Sequence, residues 1–451
     1  MRWEAGDTSS THRGGAKMST KLASLTLRAR ENPKCKFTSL THLLTEDFLR
    51  ECYLELKRGK APGIDGVEVE EYGENLIERL KDLVERMKAK RYRPKPVKRV
   101  YIPKADGTKR PLGIPTVEDK IVQMGIKKIL EAIFEADFVE SSYGFRPDRS
   151  CHDAIDAVNL VIMTKPTNCI VDMDIRKFFD TVDHKWMMEC LKQRIADPNL
   201  LMLIGRFLKA GVMEDDKYIE AERGTPQGGV VSPVLANIYL HYVLDLWFEK
   251  IVKKQMKGYI GLIRYADDFV VCCQSKKEGE KFREMLKERL DKFGLKISED
   301  KTKIIEFGRY VWNKAEREGS KVATFDFMGI THYCTKTRSG GFKLGRKTAR
   351  ARYWRKVKEM NEWLKGVRNS VSWTEWWKAL GLKLAGHYRY YGISGNMVAI
   401  NAFHLMAVKM AYKWINRRSQ RKSYNWKQFQ HLLKHNPLPK PKIYRPYPVI
   451  A

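Results

Sequence analysis

Gly261–Cys273, GLIRYADDFVVCC, is the stretch on which the fold turns. Two short apolar runs, Leu262–Ile263 and Phe269–Val271, flank the adjacent acids Asp267 and Asp268. Runs of this length, bounded this way, predict two strands of a β-hairpin with the acids at its tip. Adjacent carboxylates repel each other, and nothing in the local sequence neutralises both. A divalent cation would: Mg2+ prefers carboxylate oxygens, and two such ions about 4 Å apart clamp a phosphoryl transfer. A solvated Asp-Asp turn satisfies the same residues, so the hairpin alone leaves both readings open. A third carboxylate and a nucleotide site elsewhere in the chain decide between them.

Asn168–His184, NCIVDMDIRKFFDTVDH, supplies the candidate carboxylate. Ile170 to Ile175 alternates as a strand does, with Asp172 and Asp174 on one face. Together with Asp180 and Asp183 they are too many acids for a buried strand end without a cation, although Asp183 reads as a helix cap. Val97–Pro115 predicts a second hairpin turning at Asp106–Gly107. Lys98, Arg99, Lys104, Lys109 and Arg110 on its flanks suit either a solvated tip or a clamp for a triphosphate. Arg223–Trp247 joins a glycine loop to a helix. Gly228 and Gly229 allow close approach of backbone to ligand, and Ser232–Pro233 reads as a cap followed by proline at the first helical position. Ser142–Ile155, SYGFRPDRSCHDAI, sets Arg146 and Arg149 beside aromatics ahead of a helix starting at Ser150.

The chain has 451 residues and a formal net charge of +31. That length allows two or three domains, and that charge points to a polyanionic partner, nucleic acid or an anionic surface. No apolar run approaches a membrane span, and the N-terminus lacks the apolar segment of a secretory signal. The eight cysteines form no C-x-x-C pair, so reduced, buried thiols are expected. From Lys336 onward there are 26 lysines and arginines against three acids, a net +23, and seven of the eleven tryptophans. Cations interleaved with aromatics suit phosphates and exposed bases, while a helical domain with a tryptophan core and a solvated basic face explains the same composition.

Residues 1–37 read as a disordered tail. A capped helix comes next at Thr45, then a turn-rich loop at Gly59–Val67 and a helical stretch over 69–90. Glu118–Phe134 and Lys281–Phe293 predict helices, Gly294–Thr302 a strand and turn bearing Lys301, and Asp326–Ile330 a short strand. Ala349–Leu364, Trp373–Tyr390 and Met397–Arg417 predict helices again. The proline-rich end reads as extended.

In this order the blocks KRPLGIP, SYGFRPDRS, VDMDIRKFFDTVDH, GTPQGGVVSPVLANIYL, RYADDFVV, ISEDKT and DFMGI resemble one family, the group II intron reverse transcriptases that double as maturases. The resemblance covers about nine-tenths of the chain. It implies a mixed α/β (α+β) right-hand polymerase: fingers and palm over 38–335, with an N-terminal extension at 38–95 and an antiparallel sheet in the palm. A helical thumb or maturase domain over 336–422 and a short basic, DNA-binding-like tail over 423–451 complete it. The resemblance makes Asp174, Asp267 and Asp268 the catalytic, metal-binding triad, with Ile175 beside them at the metal site. Asp174 is preferred to Asp172 because Phe179, five residues on, matches the family's sugar gate. Lys104 and Arg110 resemble the grip on the incoming triphosphate. Gln227 and Gly228 belong to the nucleotide pocket, and Lys301 lies near the leaving pyrophosphate. Tyr265, Ala266 and Arg146 fall beside primer and template.

The implied cofactor is a pair of Mg2+ ions, with Mn2+ as a substitute. The implied partners are dNTPs, an RNA template with a DNA primer, a group II intron RNA and target DNA, in a cytoplasmic, bacterial-type ribonucleoprotein. Many family members end in a zinc-bearing endonuclease with paired cysteines and histidines. The sequence here shows no such cluster, which implies a member without its own nicking activity. An RNA-binding splicing factor without polymerase activity, and a domesticated relative serving defence or repair, are the alternatives.

Overall fold

The computed structural model describes residues 9–103, 109–225, 228–418 and 423–448. In chain order the strands are β1 (Val97–Pro103), β2 (Lys109–Ile114), β3 (Cys169–Asp174), β4 (Val212–Glu214), β5 (Lys217–Ile219) and β6 (Ile260–Tyr265). They continue with β7 (Asp268–Cys273), β8 (Lys303–Glu306), β9 (Phe325–Phe327), β10 (Ile330–Lys336) and β11 (Phe342–Thr348). They form three sheets, ordered β2-β1-β4-β5, β6-β7-β3-β8 and β11-β10-β9.

The sheet β6-β7-β3-β8 is antiparallel throughout and is the centre of the molecule. The expected hairpin is β6–β7, with only Ala266 and Asp267 between its strands. Val171, Met173, Phe269 and Val271 project from one face into a large core shared with the helix Val117–Phe134. Ile170, Ile263, Val270 and Cys272 project from the other, against the helix Cys151–Thr164, Phe325, Phe327 and Leu344. Cover on both faces is why β6 and β7 read as short continuous apolar runs. All eight cysteines are free thiols, and Cys272 and Cys273 are fully buried.

β1 and β2 form the second expected hairpin; its tip, with Lys104 and Asp106–Gly107, lies outside the described residues. The hairpin β4–β5, which adds to β1 through a parallel pairing at Val97–Val212, was not read from the sequence. Its strands are three residues each, too short for an alternation to register, and its turn residues Asp215 and Asp216 both have positive φ.

Several expectations are corrected. Ser9–Glu31 is a helix, not a disordered tail: Leu22, Leu25 and Ala29 pack on the main core, and buried Arg194 donates to the carbonyls of Ala29 and Asn32. Asp326–Ile330 is not one strand but the corner between β9 and β10, where Met328 (φ 51°) and Gly329 (φ 76°) make a two-residue hairpin turn. Gly294–Thr302 contributes only an isolated bridge, Ile175 with Ile297; the strand is β8, just after it. The residue before the helix Ser232–Leu240 is Val231, and Ser232 lies inside the first turn. β10 and β11 also carry strand structure past 336, so the C-terminal run of helices begins at Arg350.

The C-terminal helices Arg350–Val367, Trp373–Tyr391 and Met397–Ile415 enclose their own core of Trp376, Leu380, Leu384, Tyr388, Phe403 and Trp414. The basic tail is not separate from it. The helix Trp426–His435 seats Phe429 in the same core, and beyond it Arg445 bonds Asp153 of the palm while the Tyr447 hydroxyl donates to Leu344 O. Among the described residues no helix is long and apolar enough to cross a membrane.

Candidate active site

The register of the central sheet builds the site. Asp174, the last residue of β3, lies directly opposite Asp268, the first of β7. Side chains alternate along a strand, so Asp172 and Asp174 share the face of Asp268, and Asp267 stands on the adjoining turn. Burial, then repulsion from Asp172, Asp267 and Asp174, pushes the Asp268 carboxyl up to about 7. Asp267 is raised chiefly by burial and then by Asp174, while Arg110 and Lys301 pull it down. Asp172 rises to about 6, again chiefly through burial. Acids with such proton affinity gain from any cation that replaces the proton.

Lys301 supplies one cation: its Nζ lies 2.6 Å from Asp174 Oδ2. Three expected groups, Asp174, Lys301 and Arg110, therefore lie within electrostatic reach of a fourth, Asp267. Among the described residues no three acids, histidines or cysteines converge on a single centre as they stand. In donor chemistry the set still fits a divalent ion: the donors are carboxylate oxygens, crowded and half-buried.

Phe179 is buried edge-on against Phe178, with ring centroids 5.4 Å apart. It comes after a left-handed residue, Lys177 (φ 47°), and its carbonyl accepts from the Thr225 amide at 2.7 Å. The glycine loop and Phe179 are thus joined by backbone. Gln227 lies outside the described residues. Gly228 (φ 109°) lies against β2: a Cβ there would stand 2.5 Å from the Gly113 carbonyl. Gln123, which the sequence did not single out, fixes the same loop by accepting from Val230 N at 2.7 Å.

Arg146 does not fit the expectation of a primer or template contact. Its guanidinium is turned inward onto Glu135 and the carbonyls of Val139 and Ser142. Tyr265 is half-buried near Phe145, and Ala266 forms the turn itself. Asp268 also lines a cavity of about 510 Å3 between the Met328–Gly329 corner and the C-terminal helices, with Arg352, Lys356, Lys383, Trp363 and His387. Arg352 also lowers the Asp268 carboxyl. The sequence signal for this cavity was only the general excess of basic residues.

Residues 102–332 match the family of reverse transcriptases, RNA-dependent DNA polymerases. Protein YkfC of Escherichia coli (strain K12) is 35% identical over 327 residues, covering 64% of this chain and 84% of that protein. The group II intron-encoded protein LtrA of Lactococcus lactis subsp. cremoris is 38% identical over 231 residues, half of this chain and 38% of LtrA. A mitochondrial nuclear intron maturase 4 of Arabidopsis thaliana is 29% identical over 136 residues, 17% of its length. The acids of the central sheet, with the lysine and arginine beside them, lie inside the matched segment, and the chain belongs to the reverse transcriptases, RNA-dependent DNA polymerases.

Proposed function

We propose that Asp174, Asp267 and Asp268, with the backbone at Ile175, hold two Mg2+ ions and that this chain extends a DNA primer on an RNA template. The observation that carries this reading is the pairing of Asp174 with Asp268 beside the Asp267 turn. When bound, the ions lower the pKa of the primer 3′-hydroxyl and stabilise the departing pyrophosphate. The protein's own groups position and neutralise. Arg110 draws the triphosphate toward β2, and Lys301 offsets charge near the pyrophosphate. Lys104 and Gln227 belong to the same grip by family resemblance. Phe179 packs under the sugar and meets a 2′-hydroxyl with steric conflict. Arg352, Lys356 and Lys383 receive the primer–template backbone in the thumb cavity, with Tyr265 and Ala266 at the primer end.

The same reading sets the domain limits: fingers and palm to about 349, then the thumb with its appended helix and tail. The basic thumb binds a group II intron RNA and assists its splicing, as the name of the Arabidopsis relative suggests for that protein. Target DNA and intron mobility belong to the same reading. Primer extension on an RNA template with Mg2+ and dNTPs tests it. Synthesis by the wild type and none by Asp267→Asn is expected; equal synthesis by both removes the triad.

A further inference from the structure

The turn that carries Asp267 is strained and externally held. Ala266 has φ 57°, a left-handed conformation that alanine disfavours and that persists only when surroundings enforce it. The enforcing group is Arg264, fully buried near the end of β6. Its Nη1 donates to the Ala266 carbonyl at 3.0 Å and to Asn237 Oδ1 at 3.1 Å. Nε and Nη2 fork onto Asp245 at 2.8 and 2.5 Å, and Nη2 also reaches Ser142 Oγ at 2.7 Å.

Asp245 has no exposed surface and ends a π-helical turn, His241–Asp245. The extra residue of such a turn rotates the succeeding residues by about 100° relative to an unbroken α-helix, and it sets the direction in which Asp245 faces. Below the turn, Asn237 Nδ2 donates to the Gly144 carbonyl at 2.7 Å. A Cβ on Gly144 would stand 2.4 Å from the Ala266 nitrogen. A buried ion pair gains little net stability over an apolar replacement of the same shape. Its cost is explained if it secures a geometry.

We infer that Arg264 and Asp245, with Asn237 and Gly144, are positioning residues for nucleotide addition: they hold the Ala266 peptide left-handed and so set where the Asp267 and Asp268 carboxylates stand. The inference rests on reading those two acids as metal ligands, and the test separates the two claims. Full-length Arg264→Lys keeps the charge facing Asp245 but cannot serve every acceptor. In metal-free protein, amide exchange at residues 265–268 is expected to accelerate about tenfold while the rest of the sheet keeps its protection. With Mg2+ and primer–template, kcat is expected to fall by about 10²-fold, the scale of ångström-level misplacement, with dNTP KM little changed.

Glycine accepts the left-handed conformation without steric cost. Adding Ala266→Gly to Arg264→Lys is therefore expected to recover a large part of kcat. Gly144→Ala, which leaves the ion pair untouched, is expected to repeat the local exchange signature and covers the case in which Arg264→Lys does not fold. Faster exchange spread evenly over the sheet, or no recovery with Ala266→Gly, overturns the inference. Local exchange changes alongside full synthesis by Asp267→Asn uphold the clamp and remove the metal-ligand reading instead.

Discussion

The turn bearing Asp267 and the helices from Arg350 onward, the proposed thumb, solve opposite problems. Around Asp267 and Asp268 charge is crowded into a small, half-buried space and fixed, and a single buried arginine holds the backbone between the strands. In the thumb charge is abundant, with cations ranged over helices that keep their own tryptophan core. Chemistry on an α-phosphate depends on position to a fraction of an ångström, whereas holding a polyanion depends on the number of cations, each worth little alone. A substitution at the turn is therefore expected to change rate without affinity, and one in the thumb affinity before rate.

The largest break in that contrast is sought with Asp267→Asn. Synthesis is expected to fall more than about 10³-fold, as losing a ligand of the reacting ions implies, while affinity for structured RNA stays within about threefold. Equal loss of both would show that turn and thumb do not divide the work. Phe179→Ala is expected to relax exclusion of ribonucleotides by about 10²-fold in kcat/KM ratios, the loss of a steric rejection, with RNA affinity unchanged. Discrimination that stays intact takes Phe179 out of the gate.

Arg352→Ala, Lys356→Ala and Lys383→Ala together are expected to weaken primer–template binding about tenfold at physiological salt. The slope of log affinity against log salt should become shallower by about two. A slope equal to that of the wild type takes these three cations off the phosphate path.

The smallest expected effect is on stability. Asp268 is raised from 3.8 to about 7. Its contribution to stability is full below its unfolded value and lost as pH rises through about 7. Asp268→Asn, inactive in synthesis, should therefore unfold about 1–3 °C above the wild type at pH 8 in EDTA, with a smaller gap at pH 5. A lower melting temperature at pH 8 would mean that the carboxylate stabilises this turn.

Order and alternation along the chain were enough to read the hairpin at Gly261–Cys273, the strand bearing Asp174, the capping Asp183 and Ser150, and the thumb helices. Each depends on neighbours within a few residues, and caps and periodicities are local. Ordered motifs also gave the family. The three-residue strands β4 and β5 were invisible for the same reason, and the Met328–Gly329 corner was read as a strand because its flanks are apolar. Whether a charged side chain faces water or the core was not legible. Arg146 lies in a polar loop and Arg264 beside the apolar Leu262–Ile263 run, both with the same side-chain chemistry as Arg110, yet both are buried, because Glu135 and Asp245 reach them from other elements. By itself the sequence determined which acids are available and that they come in strands. Only the tertiary structure decided that Asp174 stands opposite Asp268, that Lys301 closes on it across 127 residues, and that a distant aspartate holds the turn, because pairing register and buried charge partners are set by segments far apart in the chain.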